Sequence, residues 1–298
     1  MRITWLLGNV IPITLMSSLI SGSTTGAPAA QPQSLVEGNT AFALDLYGQL
    51  KTAQGNLFFS PYSISTALAM TWTGAAGETT KEMSTVLHLP AAPAAACAAL
   101  QKQLTGAGAQ RKFELFVANA LWGQKGIPFK PAFLATVKDN FGGGLNDVDF
   151  KGATEAARKT INDWVAAQTK DKIKDLLAPG VLDPATKLVL TNAIYFKAAW
   201  QSQFQSRATS KGPFYLDAEK KVDADMMKQT ERARYAATDG VKLCELAYEG
   251  GQVSMLVILP DKRDGLAEVE KSLTAAKLEA WTKALAGLMM MFIKTCWI

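Results

Sequence analysis

Asn56-Leu-Phe-Phe-Ser-Pro-Tyr-Ser-Ile-Ser-Thr-Ala-Leu-Ala-Met70 begins with an apolar run, Leu57-Phe58-Phe59, of strand length, and passes straight into a helix. Ser60 is a good N-cap, because its hydroxyl accepts a hydrogen bond from one of the orphan N–H groups of a first helical turn. Pro61 at the first helical position has no N–H to lose and a φ already suited to the helix. Beyond it, Ile64, Ala67, Leu68 and Thr71 fall on one face, while Ala67 and Ala69 keep the helix thin. A thin helix entered from a buried strand belongs inside a domain, beneath a sheet. Periodicity by itself supports a core helix and nothing more specific.

Outward from that stretch the chain mixes helices and strands. Asn39 or Thr40 is placed to cap a helix carrying Phe42, Leu46 and Leu50 at i, i+4 and i+8. Gly74 and Gly77 break the opening helix, and Thr79 with Glu82 has capping-box spacing for another helix. Ala91 to Leu104 is Ala-rich and reads as helical. Phe113 to Gly123 alternates Phe113, Leu115, Val117, Asn119 and Leu121 with Phe116, Ala118, Ala120 and Trp122. Both faces are largely apolar, which predicts a central strand covered on two sides. A short helix is expected over Pro131 to Asn140, a short strand over Asn146 to Phe150 and an amphipathic helix over Glu155 to Lys170. Lys187 to Trp200 is a second long apolar strand. Phe214, Val222, Met226 and Tyr235 mark short strands, Val241–Tyr248 and Val253–Leu259 flank Gly250-Gly251 as a hairpin, and Gly265 to Ala286 gives two short helices. Irregular alternation of this kind argues for α+β rather than a doubly wound sheet.

Composition is that of an ordinary globular chain: 298 residues, 48% hydrophobic and 19% charged. The net charge of +5 is scattered, with no basic block to grip a nucleic acid. Cys97, Cys244 and Cys296 are an odd number without metal-ligand spacing and read as free thiols. Arg2, an apolar run from Ile3 to Ile20 and the small-residue site Ala27-Pro28-Ala29 read as a signal peptide over 1–29, which predicts a secreted or periplasmic protein.

Enzyme classes fare poorly. With His88 the only histidine, there is no multi-histidine zinc site, and no nucleophile-elbow pattern supports a Ser-His-Asp triad. Gly74 to Thr80 lacks the Lys-Ser/Thr of a phosphate loop, and Gly142-Gly-Gly144 lacks its context. Asp147 and Asp149 could share a strand face, yet solvated surface charge is the better reading. No catalytic residue, metal or cofactor is expected.

Asn56-Leu-Phe-Phe-Ser-Pro-Tyr-Ser-Ile-Ser resembles the signature of the serpins, the serine-protease-inhibitor superfamily. Three later stretches continue the resemblance in the family's order: Gly74-Ala-Ala-Gly-Glu-Thr-Thr-Lys-Glu-Met83, Thr191-Asn-Ala-Ile-Tyr-Phe-Lys-Ala-Ala-Trp200, and Leu243 to Pro260. The resemblance implies an α+β serpin-like fold, with helices on a large, mainly antiparallel sheet plus smaller sheets. It also implies a suicide-substrate mechanism, in which a serine or cysteine protease cleaves an exposed loop that then inserts as an extra strand into the main sheet. In the shutter that controls insertion, Ser60, Pro61 and Ser63 match the helix entry beneath the sheet, and Asn192 the strand residue facing them. In the breach, Trp200 matches the tryptophan at the top of the same strand.

The domain is expected over 30–286, followed by a divergent apolar tail over 287–298 with no Ala/Gly/Thr-rich hinge and no recognisable reactive bond. The expectation is therefore a C-terminally truncated member. Its inhibitory activity is set against a second reading, a non-inhibitory scaffold or remnant. Without further strands, Lys187–Trp200 would keep an unpaired edge, a template for intermolecular pairing, so the chain is expected to be either a monomer or aggregation-prone. Nothing in the tail's pattern specifies a strand that fits.

Overall fold

The computed structural model describes residues 11–15, 32–53, 55–105, 111–216, 218–285 and 288–296. The leader expected over 1–29 lies outside these residues except for 11–15, which form β1 (Ile11–Leu15). After it, among the described residues, come eight α-helices and eight further strands in an α+β order. They divide between a sheet of three strands and a sheet of six.

The three-stranded sheet contains β2 (Phe113–Gln124) at its centre, β3 (Leu145–Val148) parallel to it, and β4 (Leu188–Ala198) antiparallel on its other side. β2 and β4 pair without a break from Phe113↔Ala198 to Gly123↔Leu188. The two long apolar stretches are thus neighbours in one sheet, as expected. This sheet is smaller than the large one the resemblance implies, and among the described residues no strand pairs along the outer edge of β4.

The inner face of β2 looks onto helices α1 (Pro32–Leu50), α2 (Pro61–Trp72), α4 (Pro93–Thr105) and α5 (Pro131–Phe141). They share a core in which Leu35, Met70, Leu100, Leu121, Val137 and Phe141 are buried. The outer face carries α6 (Thr154–Gln168), whose Ile161 packs with Ala120, Trp122 and Phe150. Trp122 closes that layer by donating from Nε1 to Thr191 Oγ1 at 2.9 Å and meeting Trp164 edge-on.

The second sheet is antiparallel throughout. β5 (Ser210–Tyr215), β6 (Lys221–Thr238), β7 (Val241–Ala247) and β8 (Ser254–Pro260) follow one another, with β1 on the far edge of β8. The expected Gly250-Gly251 hairpin is present, both glycines at positive φ. Helices α7 (Leu266–Ser272) and α8 (Ala275–Ala284) cover the sheet, burying Trp281 against Val241, Leu243, Leu256 and Ile258.

Several expectations are corrected. Leu57-Phe58-Phe59 forms no strand, and Phe58 is 63% exposed. In α2 the buried face is Ser65, Thr66, Ala69 and Met70, whereas Leu68 is 37% exposed. The reason is chemical: Ser65 Oγ donates to Asn39 Oδ1 at 2.7 Å, so a hydroxyl is accommodated inside. Asn39 and Thr40 therefore do not cap α1, which starts at Pro32, and the Thr40 hydroxyl instead bonds back to Val36 O at 2.9 Å. Helix α3 (Glu78–Val86) starts one residue before the expected capping box, from Gly77 at φ 61°, with no side-chain cap. Met226 and Tyr235 share one strand, β6, of 18 residues. Most notably, the apolar tail does form a strand. β9 (Leu288–Cys296) pairs antiparallel with β6 from Arg234↔Leu288 to Met226↔Cys296.

Candidate functional site

Where the chain leaves Phe59 it has no partner strand, and Ser60 turns it into α2. Ser60 holds an extended conformation, φ −111° and ψ 101°, and its Oγ accepts from the backbone N of Ser63 at 3.3 Å. Pro61 occupies the first helical position. Ser60 and Pro61 thereby fix the direction in which Ser63 points.

Ser63 Oγ donates to Asn192 Oδ1 on β4. Asn192 Nδ2 donates in turn to Asn119 Oδ1, directly opposite on β2, at 2.6 Å. Asn119 Nδ2 donates to the carbonyl of Phe141, the last residue of α5, at 3.1 Å. That carbonyl is one of those a helix C-terminus leaves without an internal partner, and Gly142 at φ 63° turns the chain away beyond it. One directed chain of hydrogen bonds therefore runs from α2 through β4 and β2 to α5. Asn119 is 5% exposed. An unmatched carboxamide at that depth would be costly, so the chain acts as a registry pin between helix and sheet.

The structure brings Ser60, Pro61, Ser63 and Asn192 together. Asn119 completes the chain and was given no role by the sequence. Its signal was available, as the single polar residue on the Phe113, Leu115, Val117, Leu121 face of a buried strand.

Trp200 stands apart from this cluster, two residues past the C-terminal end of β4. Its indole stacks on Tyr248, with ring centroids 4.3 Å apart and planes 12° from parallel. Gln201 N donates to Ala247 O at 2.9 Å and Glu249 N to Ala199 O at 2.8 Å. The end of β4 is thus tied to the end of β7, and the two sheets share the cluster of Phe113, Phe196, Trp200, Tyr248 and Met255. Burial pushes the Tyr248 phenol up to about 12, so it stays neutral at physiological pH.

The open edge of β4 has a defined polarity. Gln124 N donates to Lys187 O at 2.9 Å, so even residues of β2 and odd residues of β4 turn their backbone groups toward one another. Leu190, Asn192, Ile194 and Phe196 consequently turn their N–H and C=O outward, where a further strand could pair.

Other chemistry is sparse. Among the described residues no group of three or more His, Cys, Asp or Glu could hold a metal ion. No helix among them is long and apolar enough to cross a membrane. Burial pushes the thiols of Cys97 and Cys244 up, to about 12 and about 11, which keeps both as unreactive thiols.

A family model described as serpin (serine protease inhibitor) matches residues 37–291. The leukocyte elastase inhibitor of Sus scrofa is 42% identical over 261 residues, covering 84% of this chain and 68% of the relative. Among solved structures, ovalbumin from emu superposes with a TM-score of 0.84 at 30% identity, covering 88% of this chain and 73% of that one. Reaction-loop-cleaved lamprey angiotensinogen gives 0.82 at 29% identity, covering 89% and 79%. The match runs through the signature stretch, both long strands and into β9, and the chain belongs to the serpin family of serine protease inhibitors.

Proposed function

We propose that this chain is the strand-accepting body of a protease inhibitor directed at serine proteases of the elastase type. The observation that carries the reading is the open β4 edge held over the Ser63–Asn192–Asn119 chain. The target class is suggested by the leukocyte elastase inhibitor, 42% identical to this chain. In the mechanism that the family implies, the protease serine attacks the loop carbonyl, the peptide bond breaks, and the new amino terminus departs while the acyl ester persists. The freed loop then adds as a strand, carrying the esterified protease with it.

In this reading Ser60, Pro61, Ser63 and Asn192 are the shutter. They hold β4 in register while the edge is empty, and their small hydroxyl and amide groups can exchange partners when a strand arrives. Trp200 is the breach residue, anchoring the end of β4 to β7 so that the edge opens from a fixed point. On its outer side β4 offers a strand the backbone donors and acceptors of Leu190, Asn192, Ile194 and Phe196, each hydrogen bond worth roughly 0.5–1.5 kcal/mol net, which together with burial of the strand's apolar side chains favours insertion. The protein itself performs no catalysis in this scheme, and works as a monomer. Arg2, the apolar run and Ala27-Pro28-Ala29 support export by a cleaved leader, whose removal would take β1 from the edge of β8.

The 298 residues include no hinge or reactive bond that can be read, so the test supplies one. Residues 1–291, the part that reaches the end of the family match, are joined to the segment of the porcine leukocyte elastase inhibitor that follows its aligned region and incubated with pancreatic elastase. An SDS-stable covalent complex is expected. Cleavage of the grafted loop with full turnover and no complex would remove the inhibitor reading.

A further inference from the structure

Beside β2, on the side away from β4, lies a polar cleft of about 350 Å³. β3 stops pairing with β2 at Leu121, whose N–H donates to Gly144 O at 3.0 Å. By the two-residue period of a strand, the backbone groups of Asn119 and Val117 face the same way, into the cleft below the end of β3. Gly143 lies close to the Asn119 carbonyl, so Val117 presents the more open backbone pair.

The walls are built from carboxamides. Gln101 comes from α4, Gln168 from the last turn of α6 and Asn146 from β3. Asn146 Nδ2 is committed to Leu121 O at 3.2 Å. The carboxamides of Gln101 and Gln168 have no hydrogen-bond partner among the described residues. Trp164 supplies an apolar wall, and none of the described residues lining the cleft is charged.

These features select a ligand class. An anionic or cationic ligand would lose hydration with no opposite charge to receive it. A wholly apolar ligand would bury free carboxamides and strand-edge groups unpaired. A peptide bond offers both a donor and an acceptor, as each of these groups does, and an extended peptide repeats them at the spacing of a strand edge. We propose that the cleft beside β2 binds a short, uncharged, extended peptide, which pairs with the Val117 backbone and with Gln101 and Gln168. The site is separate from the β4 edge and does not depend on the inhibitor reading. Asn119 nonetheless joins the two, since its backbone borders the cleft and its side chain takes the bond from Asn192.

The test uses the full chain and the probe acetyl-Thr-Val-Thr-amide, with acetyl-Asp-Val-Asp-amide as its charged counterpart. Calorimetry gives affinity, and hydrogen exchange read by mass spectrometry gives location. The neutral probe is expected to bind at least tenfold more tightly than the charged one and to slow exchange within 113–124 rather than 188–198. Gly144→Val places a side chain where a Cβ meets nothing within 4 Å. It should leave the melting temperature unchanged and weaken the probe at least tenfold, while Gln168→Ala should weaken it several-fold. The proposal is overturned by no binding at millimolar probe, by equal affinity for the two probes, by protection confined to 188–198, or by indifference to Gly144→Val. None of these outcomes bears on whether the grafted inhibitor traps elastase.

Discussion

Trp200 and Tyr248 stack face to face, 4.3 Å between ring centroids, across the junction where β4 meets β7. An aromatic pair adds about 0.5–1.5 kcal/mol beyond its area burial, and this one also closes the core cluster shared by the two sheets. Trp200→Ala should cost about 2–3 kcal/mol, below the ~3–5 kcal/mol of a fully buried Trp→Ala because Trp200 is half-buried. Thermal melting checks the size of the loss. Hydrogen exchange should show residues 196–201 opening first, and a loss spread evenly over both sheets would deny Trp200 its anchoring part.

The Ser63–Asn192 bond should behave as a coupled pair. Removing either partner leaves a part-buried polar group unmatched, at a cost of about 1–3 kcal/mol. Ser63→Ala and Asn192→Ala together should cost less than the sum of the two, by roughly 1 kcal/mol. A double-mutant cycle in urea measures this, and strict additivity would show that the two side chains act independently.

Asp149 fastens the turn between β3 and α6 to the end of β2. Its Oδ1 accepts from Gly152 N at 2.8 Å and from Gln124 Nε2 at 3.3 Å, and the Gly152 bond is the main reason its carboxyl titrates below the ordinary 3.8. A carboxyl with a lowered folded pKa binds fewer protons folded than unfolded, so its contribution is present above that ordinary value and fades as pH falls through the folded one. Asp149→Asn should therefore melt below the wild type at neutral pH, with the gap closing in strong acid. A gap that persists unchanged to the lowest pH would mean that charge plays no part.

Gly38 is a position where only glycine fits. A Cβ there would lie 2.1 Å from the carbonyl oxygen of His88, which is held at φ 50° with its ring 2.7 Å from Asp45. Gly38→Ala must push α1 and the α3–α4 turn apart, and should cost about 1–3 kcal/mol, toward the upper end because the clash is with backbone. A variant that melts within a degree of the wild type would contradict the packing.

The sheet of β2 and β4 is legible because Phe113–Gly123 and Lys187–Trp200 are largely apolar on both faces, although the cover on two sides is incomplete, Phe116 and Leu188 staying 43% and 39% exposed. The helix entry was legible because Ser60-Pro61 carries its own capping chemistry. Asn119 escaped notice because a lone amide has no spacing partner in the sequence, and its partner Asn192 is 73 residues away. The buried face of α2 is not legible in its apolar spacing, because Ser65 and Thr66 lie on it and Ser65 is satisfied by Asn39, a partner 26 residues away. Leu288–Cys296 gave no alternation to read. Its strand is set by the free edge of β6, a property of the tertiary fold.

The outer edge of β4 predicts self-association with a specific remedy. Leu190, Asn192, Ile194 and Phe196 turn their N–H groups outward, and an apolar strand with a bare row of donors and acceptors is a template for a second copy. Proline is tolerated on an edge strand where its missing N–H faces outward, and not where it breaks the ladder. Ile194→Pro should therefore keep the β2–β4 pairing and lower the oligomer fraction in size-exclusion chromatography at high concentration. Ala193→Pro, one residue away, removes an N–H directed at β2 and should unfold the sheet at a cost of about 3 kcal/mol or more. If both variants behave alike, or if the wild-type chain elutes as a monomer at every concentration, β4 is not the surface through which copies of this chain meet.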